Sequence, residues 1–168
     1  MPREARSLLL VASLVALIAS CRTPGTLPEG TVEVSARVDA PIEFSAGQRI
    51  FVERHAADAR GLDGRIASQL ARWGFDTDHG PESARPGAWE YLVQYEDRWM
   101  WDLSNYLIEL RLEFFAPGNP PQLIASGRSY RTSTARADVT VMVQEIFQEI
   151  RREIQRRNQE EGSTRPES

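Results

Sequence analysis

The chain has 168 residues, of which 41% are apolar and 26% are charged, so its length and composition fit one globular domain. Its formal net charge is −4 and its pI is about 5.3. A domain that binds nucleic acid would be expected to carry a basic surface, so this charge balance argues against a nucleic-acid partner.

The beginning of the chain has the pattern of a bacterial signal peptide. Arg3 and Arg6 give a positive start, and an uncharged run of about 13 residues follows at 7–19. A helix that crosses the bilayer needs about 20 residues. The segment 17–21 (LIASC) resembles the lipobox of bacterial lipoproteins, which implies cleavage just before Cys21 and acylation of its thiol. The alternative is an uncleaved anchor helix with an incidental cysteine.

These features divide the chain into four predicted parts. Residues 1–20 are the signal peptide, 21–30 a lipidated tether rich in proline and glycine, 31–158 a folded domain, and 159–168 a disordered tail. The tether begins with arginine after the cysteine, where lipoproteins retained in the inner membrane usually carry aspartate. By that sorting rule, we expect the acyl chains to hold the protein in the outer membrane, facing the periplasm.

The domain is predicted to begin with strands and a helix. Residues 31–38 alternate small apolar with polar side chains, and 49–54 are rich in β-forming residues. Apolar residues then recur at helical spacing over 62–73, with Asp63 as the expected N-cap and a glycine after the helix. A short strand is expected at 75–77.

Two long alternating runs, 89–101 and 106–114, predict a β-hairpin with a four-residue loop at 102–105. Pairing Arg98 with Glu109 places opposite charges next to each other on the outer face, which supports one register. A slip by one residue would mix the two faces. In this register the inner face carries Trp89, Tyr91, Val93, Tyr95, Trp99 and Trp101.

A third strand and a long helix complete the predicted domain. The strand covers 122–132 and brings Arg128 next to Glu109, while its inner side is open enough for a helix to approach closely. The small residues on that side are Ala125, Gly127 and Ser129. Residues 138–158 form an amphipathic helix that Asp138 can cap.

The resulting order, β-α-β-β-β-β-α, predicts an α+β two-layer sandwich. Its sheet is expected to be mostly antiparallel with four to five strands, and both helices are expected to cover one face.

Nothing in the sequence predicts catalysis. His55 and His79 lie at a strand end and in a loop, with no cysteine or acidic residue at metal-ligand spacing, and they are expected to be solvated. No nucleophile elbow or phosphate-binding loop occurs. We therefore expect a protein that is not an enzyme and that uses no metal or cofactor.

The segment 95–102 (YEDRWMWD) has two open interpretations. In the first it is a structural hairpin with an aromatic inner side and an outer ion network. In the second it is a binding surface near the hairpin tip. The residues that would then contact a partner are Arg98, Trp99, Met100 and Trp101.

Two features of this sheet remain open at the level of sequence. Asp97 falls on the aromatic face, where a buried carboxylate needs Arg131, Ser129 or a backbone N–H as a partner. The outer face is expected to carry two apolar clusters, which mark contacts with a partner or are covered by 31–38. The clusters are Met100, Leu107 and Tyr130 at one end, and Leu92, Phe115 and Ile124 at the other.

At YEDRWMWD, with RIFVERHAAD and LDGRIASQLARWGF upstream, the chain resembles a group of uncharacterised bacterial lipoproteins over roughly 48–150. The resemblance assigns no catalytic residue. More distantly, the element order is similar to that of small envelope lipoproteins such as the lipopolysaccharide-assembly subunit inside its barrel partner, although fold does not imply function.

Two functions are therefore expected as alternatives. The first is a non-catalytic envelope lipoprotein that binds an envelope protein or complex through the open sheet face or the hairpin tip. The second is a binder or carrier of a lipid or other amphiphile between sheet and helices, around Trp73, Trp99 and Phe147. The second function requires a cavity of a few hundred Å³.

Overall fold

A computed structural model describes residues 30–163 of the chain. The predicted signal peptide, Cys21 and nearly all of the tether lie outside the described residues. The strands and helices are β1 (Val32–Val38), β2 (Arg49–Glu53), α1 (Leu62–Ala71), β3 (Asp76–Gly80), β4 (Tyr91–Trp101), β5 (Asn105–Ala116), β6 (Gln122–Arg131) and α2 (Val139–Ser163). A short 3₁₀ turn lies at Glu82–Ala84.

The strands form one six-stranded sheet in the order β1-β6-β5-β4-β2-β3. Strands β4, β5, β6 and β1 pair antiparallel, whereas β2 pairs parallel with both β3 and β4. The α+β class with two helices is confirmed, although the sheet has more strands than expected. The additional strand is β1, which pairs edge-to-edge with β6. The interpretation that 31–38 cover the outer face is therefore wrong.

The predicted hairpin register is correct in its central part. Val93 lies opposite Phe114, and Arg98 lies opposite Glu109. A β-bulge between Arg98 and Trp99 then shifts the pairing, so that Trp101 faces Asn105 and three residues remain in the loop. A bulge inserts one unpaired residue and reverses the alternation beyond it.

The two strand irregularities correct the predicted outer-face clusters. Leu107, expected outside next to Met100, is only 2% exposed and belongs to the main core. Ile124 is likewise buried in the core, close to a second irregularity between Phe114 and Phe115. Neither cluster therefore exists as predicted, because a period-2 pattern cannot locate a bulge.

The core lies between the sheet and the two helices. Strand β6 approaches α2 so closely that a Cβ atom on Gly127 would lie 2.5 Å from Cγ2 of Ile146. The prediction that small residues on β6 admit a helix is thus confirmed. At one end of this core, Phe44 from the β1–β2 connection packs against Phe114 and Phe147 at ring-centroid distances of 5.5 and 5.0 Å.

The helix boundaries follow the predictions with two corrections. Asp138 caps α2 as expected, because its Oδ1 accepts a hydrogen bond from the backbone N–H of Thr140 at 2.8 Å. Helix α2 continues to Ser163, so the first part of the predicted disordered tail, 159–163, is helical. The N-cap position of α1 is Gly61, not Asp63, and the first free N–H, that of Leu62, is satisfied by Asp58 at 2.7 Å.

Candidate functional site

The sheet face opposite the helices carries an ordered row of alternating charges. Arg98 Nη2 lies 2.9 Å from Oε2 of Glu109, which also pairs with Arg128. Arg128 in turn reaches Glu33 on β1, with 3.9 Å between Nη1 and Oε2. These contacts raise the pKa of the Arg128 guanidinium, mainly through its hydrogen bond to Glu109. The predicted row Arg98–Glu109–Arg128 is confirmed, and β1 extends it by one charge.

Tyr130 is the aromatic centre of this row. The guanidinium carbon of Arg128 lies 5.0 Å from the ring centroid, and that of Arg98 lies 5.6 Å from it. Both distances are within the range of cation–π attraction, so the ring and the two arginines restrict one another's positions. We call the surface formed by Glu33, Arg98, Glu109, Arg128 and Tyr130 the charged face.

Trp99 and Asp97 form a structural pair on the helix side of β4. The half-buried indole of Trp99 packs against the core, and its Nε1 donates a hydrogen bond to Asp97 Oδ2 at 2.6 Å. The guanidinium carbon of Arg60 lies 4.4 Å from the Trp99 ring centroid. Of the partners considered for Asp97, the structure places Arg131 and Ser129 elsewhere, against Glu145 of α2.

The tip of the β4–β5 hairpin is exposed and apolar. Met100, Trp101 and Leu103 have exposed fractions of 49%, 72% and 97%. Asp102 between them pairs with Arg136, whose guanidinium carbon lies 4.0 Å from the ring centroid of Tyr106. We call Met100, Trp101 and Leu103 the apolar tip. The sequence pattern predicted the first two residues but not Leu103, because a single loop leucine has no periodicity.

The structure thus separates the four residues that were predicted to bind a partner. Arg98 belongs to the charged face, whereas Met100 and Trp101 belong to the apolar tip. Trp99 is held inward by Asp97 and Arg60.

A buried carboxylate on α1 forms a polar cluster that the sequence did not predict. Asp63 is fully buried, and its Oδ2 accepts a hydrogen bond from Arg54 Nε at 2.8 Å. The same oxygen lies 3.0 Å from Nδ1 of His79, so this histidine is not a freely solvated loop residue. A Cβ atom on Gly64 would come within 3.1 Å of the His79 ring. Glycine inside a helix lowers the stability of the helix, so Gly64 was the sequence feature that could have indicated this close approach.

A second carboxylate stabilises the turn before α1. Asp58 Oδ2 accepts hydrogen bonds from the backbone of Leu62 and from the hydroxyl of Tyr95, both at 2.7 Å. Burial raises the pKa of the Tyr95 hydroxyl, and its bond to anionic Asp58 raises it further. Burial opposes ionisation of Asp58 as well, but these hydrogen bonds outweigh it and lower the Asp58 pKa. The two clusters anchor the start of α1 to β2, β3 and β4.

The Asp63 cluster gives an expected pH dependence. Burial by itself would raise the pKa of Asp63, but hydrogen bonds from His79 and Arg54 contribute to an opposite, larger effect, so that its pKa lies below 3.8. A carboxyl group with a lower pKa in the folded state stabilises the fold above its unfolded pKa, and this contribution disappears as the pH falls through the folded value. We expect Asp63→Asn to cost about 1–2 kcal/mol near neutral pH, since a charge-assisted hydrogen bond is lost.

Urea unfolding of both proteins between about pH 7 and pH 2 measures this contribution, because the range must extend below the folded pKa of Asp63. The free energies of unfolding should converge as the pH falls, because wild-type Asp63 then becomes protonated. Asp78→Asn is the control, since Asp78 lies on the same strand as His79 but is exposed and bonds only to the adjacent backbone. A constant difference at every pH would contradict the assignment.

Each of the residues expected to surround an amphiphile contacts another side chain of this chain. Trp73 stacks on Phe147 at a centroid distance of 4.4 Å and an interplanar angle of 11°. Trp99 lies opposite Leu107 near the hairpin tip and contacts Arg60 instead.

Within residues 30–163, no group of three or more histidine, cysteine, aspartate or glutamate side chains is arranged to hold a metal ion. The described helices include none that is both long and apolar enough to cross a membrane.

Comparisons with known proteins find proteins of similar fold but assign this chain to no family. No family model matches the sequence, and no curated protein matches it. The two-layer α+β fold is similar to that of PelC from Paraburkholderia phytofirmans, solved as a dodecamer. One PelC structure is 16% identical, with a TM-score of 0.52 over 70% of this chain and 98% of that chain. A second crystal form gives 15% identity and the same TM-score, over 71% and 97% of the two chains. At this identity the likeness concerns the fold alone.

Proposed function

We propose that this chain is a lipid-anchored envelope protein that faces the periplasm and acts by binding another envelope protein. The acyl chains on Cys21 would hold it at the outer membrane, and the charged face would meet the partner. The observation that carries this proposal is the charged face itself: a sheet surface over which neither described helix packs, with arginines and a tyrosine already held in place.

Preorganisation is the physical reason for choosing this surface. An interface residue that is mobile before binding loses side-chain entropy on binding, and this loss weakens the complex. Arg98, Arg128 and Tyr130 are already restricted by Glu109 and by one another, so less entropy remains to be lost. Arginine and tyrosine are also among the residue types that contribute most to binding at interfaces. The side chain of Arg98 is 56% exposed, so its guanidinium remains available to a carboxylate of the partner.

Photo-crosslinking in cells of the source bacterium tests this surface. A photoreactive residue at Ser35 lies beside Arg128 without replacing a member of the charged face, whereas one at Arg151 lies on the helix layer. We expect a discrete crosslinked species from position 35 and not from position 151. Arg98→Ala should weaken that species, and Arg72→Ala, an exposed arginine next to α1, should leave it unchanged. Equal crosslinking from both positions, or no effect of Arg98→Ala, would refute the proposed surface.

The identity of the crosslinked species separates two partners. Because PelC is described as a dodecamer, a second copy of this chain is the competing occupant of the charged face. Mass spectrometry of mixed isotopically light and heavy cells distinguishes a self-crosslink from a crosslink to another protein. Only the latter supports the proposal.

The anchor is tested separately from the charged face. Radioactive palmitate should label the protein in cells, and Cys21→Ser should abolish the labelling. Persistent labelling in the variant, or none in the wild type, would contradict the proposed acylation.

A further inference from the structure

The apolar tip and the start of β1, where the described chain begins, lie at the same end of the sheet. Val32 at the start of β1 pairs with Arg131 at the end of β6. Tyr130, its neighbour on β6, pairs with Glu109 on β5. Strand β5 begins at Asn105, next to the hairpin tip. At about 3.4 Å per residue, Asn105 lies roughly 14 Å from Glu109 along the strand. The tip therefore projects beyond the point where the chain enters the domain.

Contacts between loops connect the two places directly. The backbone N–H of Thr132 donates to the carbonyl of Thr31 at 3.1 Å, next to the tether. A few residues later, Arg136 in the same connection pairs with Asp102 and reaches the hydroxyl of Ser104 at 3.3 Å. The connection between β6 and α2 thus fixes the orientation of the tip relative to the start of β1.

The charge distribution at the apolar tip is compatible with the interfacial region of a lipid bilayer. The charges of Asp102 and Arg136 neutralise each other in an ion pair, so the tip does not present an isolated charge from these residues. Trp101 and Leu103 precede and follow Asp102 in the chain and are largely exposed. Tryptophan is enriched at the membrane–water interface, where its ring is partly in hydrocarbon and its N–H remains near water. Met100 adds a flexible apolar side chain next to it.

The tether is long enough to permit this contact. Ten residues lie between Cys21 and Val32, and the eleven Cα–Cα steps that connect them span at most about 40 Å when fully extended. An acylated Cys21 keeps the domain within this distance of the lipid surface. A weak apolar contact then forms at a high effective concentration, as an intramolecular event.

We propose that the apolar tip inserts into the interfacial region of the bilayer to which Cys21 is anchored. The domain is then held at two points. Its strands are directed towards the membrane, and the charged face does not face the bilayer. This inference rests on the proposed acylation of Cys21 and adds an orientation to it. It also leaves the charged face accessible to a protein partner.

Quenching of tryptophan fluorescence by brominated lipids tests the proposal. The full acylated protein is reconstituted in vesicles of phosphatidylethanolamine and phosphatidylglycerol, with and without bromine on the acyl chains. Trp101 is the most exposed tryptophan of the described residues, and the chain has four in all. We expect brominated lipid to quench part of the emission, and Trp101→Ala to remove most of that quenching.

A matched variant moves the tryptophan to the opposite end of the sheet. Gln122 is exposed at the start of β6, opposite Ala116 and far from the tip. In the Trp101→Ala background, Gln122→Trp should remain unquenched by brominated lipid. Equal quenching of the two tryptophans would overturn the proposal.

Flotation of the same vesicles separates this inference from the anchor. A protein that floats with the vesicles but shows no quenching of Trp101 retains its anchor and loses the inserted tip. Such a result would overturn the insertion of the tip and leave the proposed anchor in place. A wild-type protein that does not float would overturn the proposed acylation and this inference together.

Discussion

Glu145→Ala is expected to lower the free energy of unfolding by about 3 kcal/mol, the lower end of the range for removing one partner of a buried ion pair, because Arg131 is buried and Glu145 is partly exposed. Arg131 is only 7% exposed and donates to both carboxylate oxygens of Glu145 at 2.5 Å. Ser129 donates to the same carboxylate at 3.2 Å. Without Glu145, Arg131 would remain buried with only the carbonyl of Ala135 as a hydrogen-bond acceptor.

Glu149→Ala is the matched control for this prediction. Glu149 lies one turn further along α2 and has the same side-chain exposure as Glu145, 29%. Its partner Arg152 is 67% exposed, however, so that pair should contribute no more than about 1 kcal/mol. Urea denaturation of the three proteins compares them directly. Similar losses for the two variants would contradict the explanation from burial of the cation.

Gly127→Val is expected to lower the free energy of unfolding by about 3 kcal/mol, at the upper end of the range for overpacked cores. Its Cβ atom alone would lie 2.5 Å from Cγ2 of Ile146 and 3.3 Å from two atoms of Ile150. Ile146 cannot move aside easily, because a β-branched side chain in a helix has one strongly preferred rotamer. Valine favours strands, so β-propensity would predict the opposite sign.

Gly87→Val makes the same substitution where the structure has open space. No atom lies within 4 Å of a Cβ built on Gly87. Its free energy of unfolding should change by less than about 0.5 kcal/mol, as for most surface substitutions. If Gly127→Val were as stable as wild type, α2 could not lie as close to β6 as the structure places it.

Both predictions concern the attachment of α2 to β6, the strand that carries Arg128 and Tyr130 on its other side. Glu145 holds the end of this strand through Arg131, and Gly127 admits the helix near its middle. Loss of either contact should therefore also disturb the charged face. The crosslink from position 35 gives an independent readout of that effect.

The hairpin illustrates how far sequence patterns reach. Alternation and charge complementarity predicted the register from Val93 to Arg98 correctly, because one face is buried and a slip would expose it. The same alternation wrongly predicted that Leu107 lies on the outer face. A bulge places its side chain in the core. A bulge inserts one extra residue into a strand, and period-2 counting does not include such an insertion.

The polar clusters show a similar limit. Asp63 was expected to cap its own helix, and His79 was expected to be solvated, because each was considered only with its sequence neighbours. The structure brings them together across α1 and β3, where Asp63 is buried with Arg54 as its second partner. A buried carboxylate is stabilised by the hydrogen-bond donors that the fold places near it, and these donors come from distant segments of the chain.

The sequence by itself determined the α+β class, the two amphipathic helices, the close approach at Gly127 and the central register of the hairpin. Each of these depends on the periodicity or size of side chains along one segment. Only the tertiary structure decided that β1 extends the sheet beside β6, that a bulge redirects Leu107, and that the apolar tip shares one end of the domain with the start of β1. Such outcomes depend on pairing and packing between segments far apart in the chain, which no local pattern encodes.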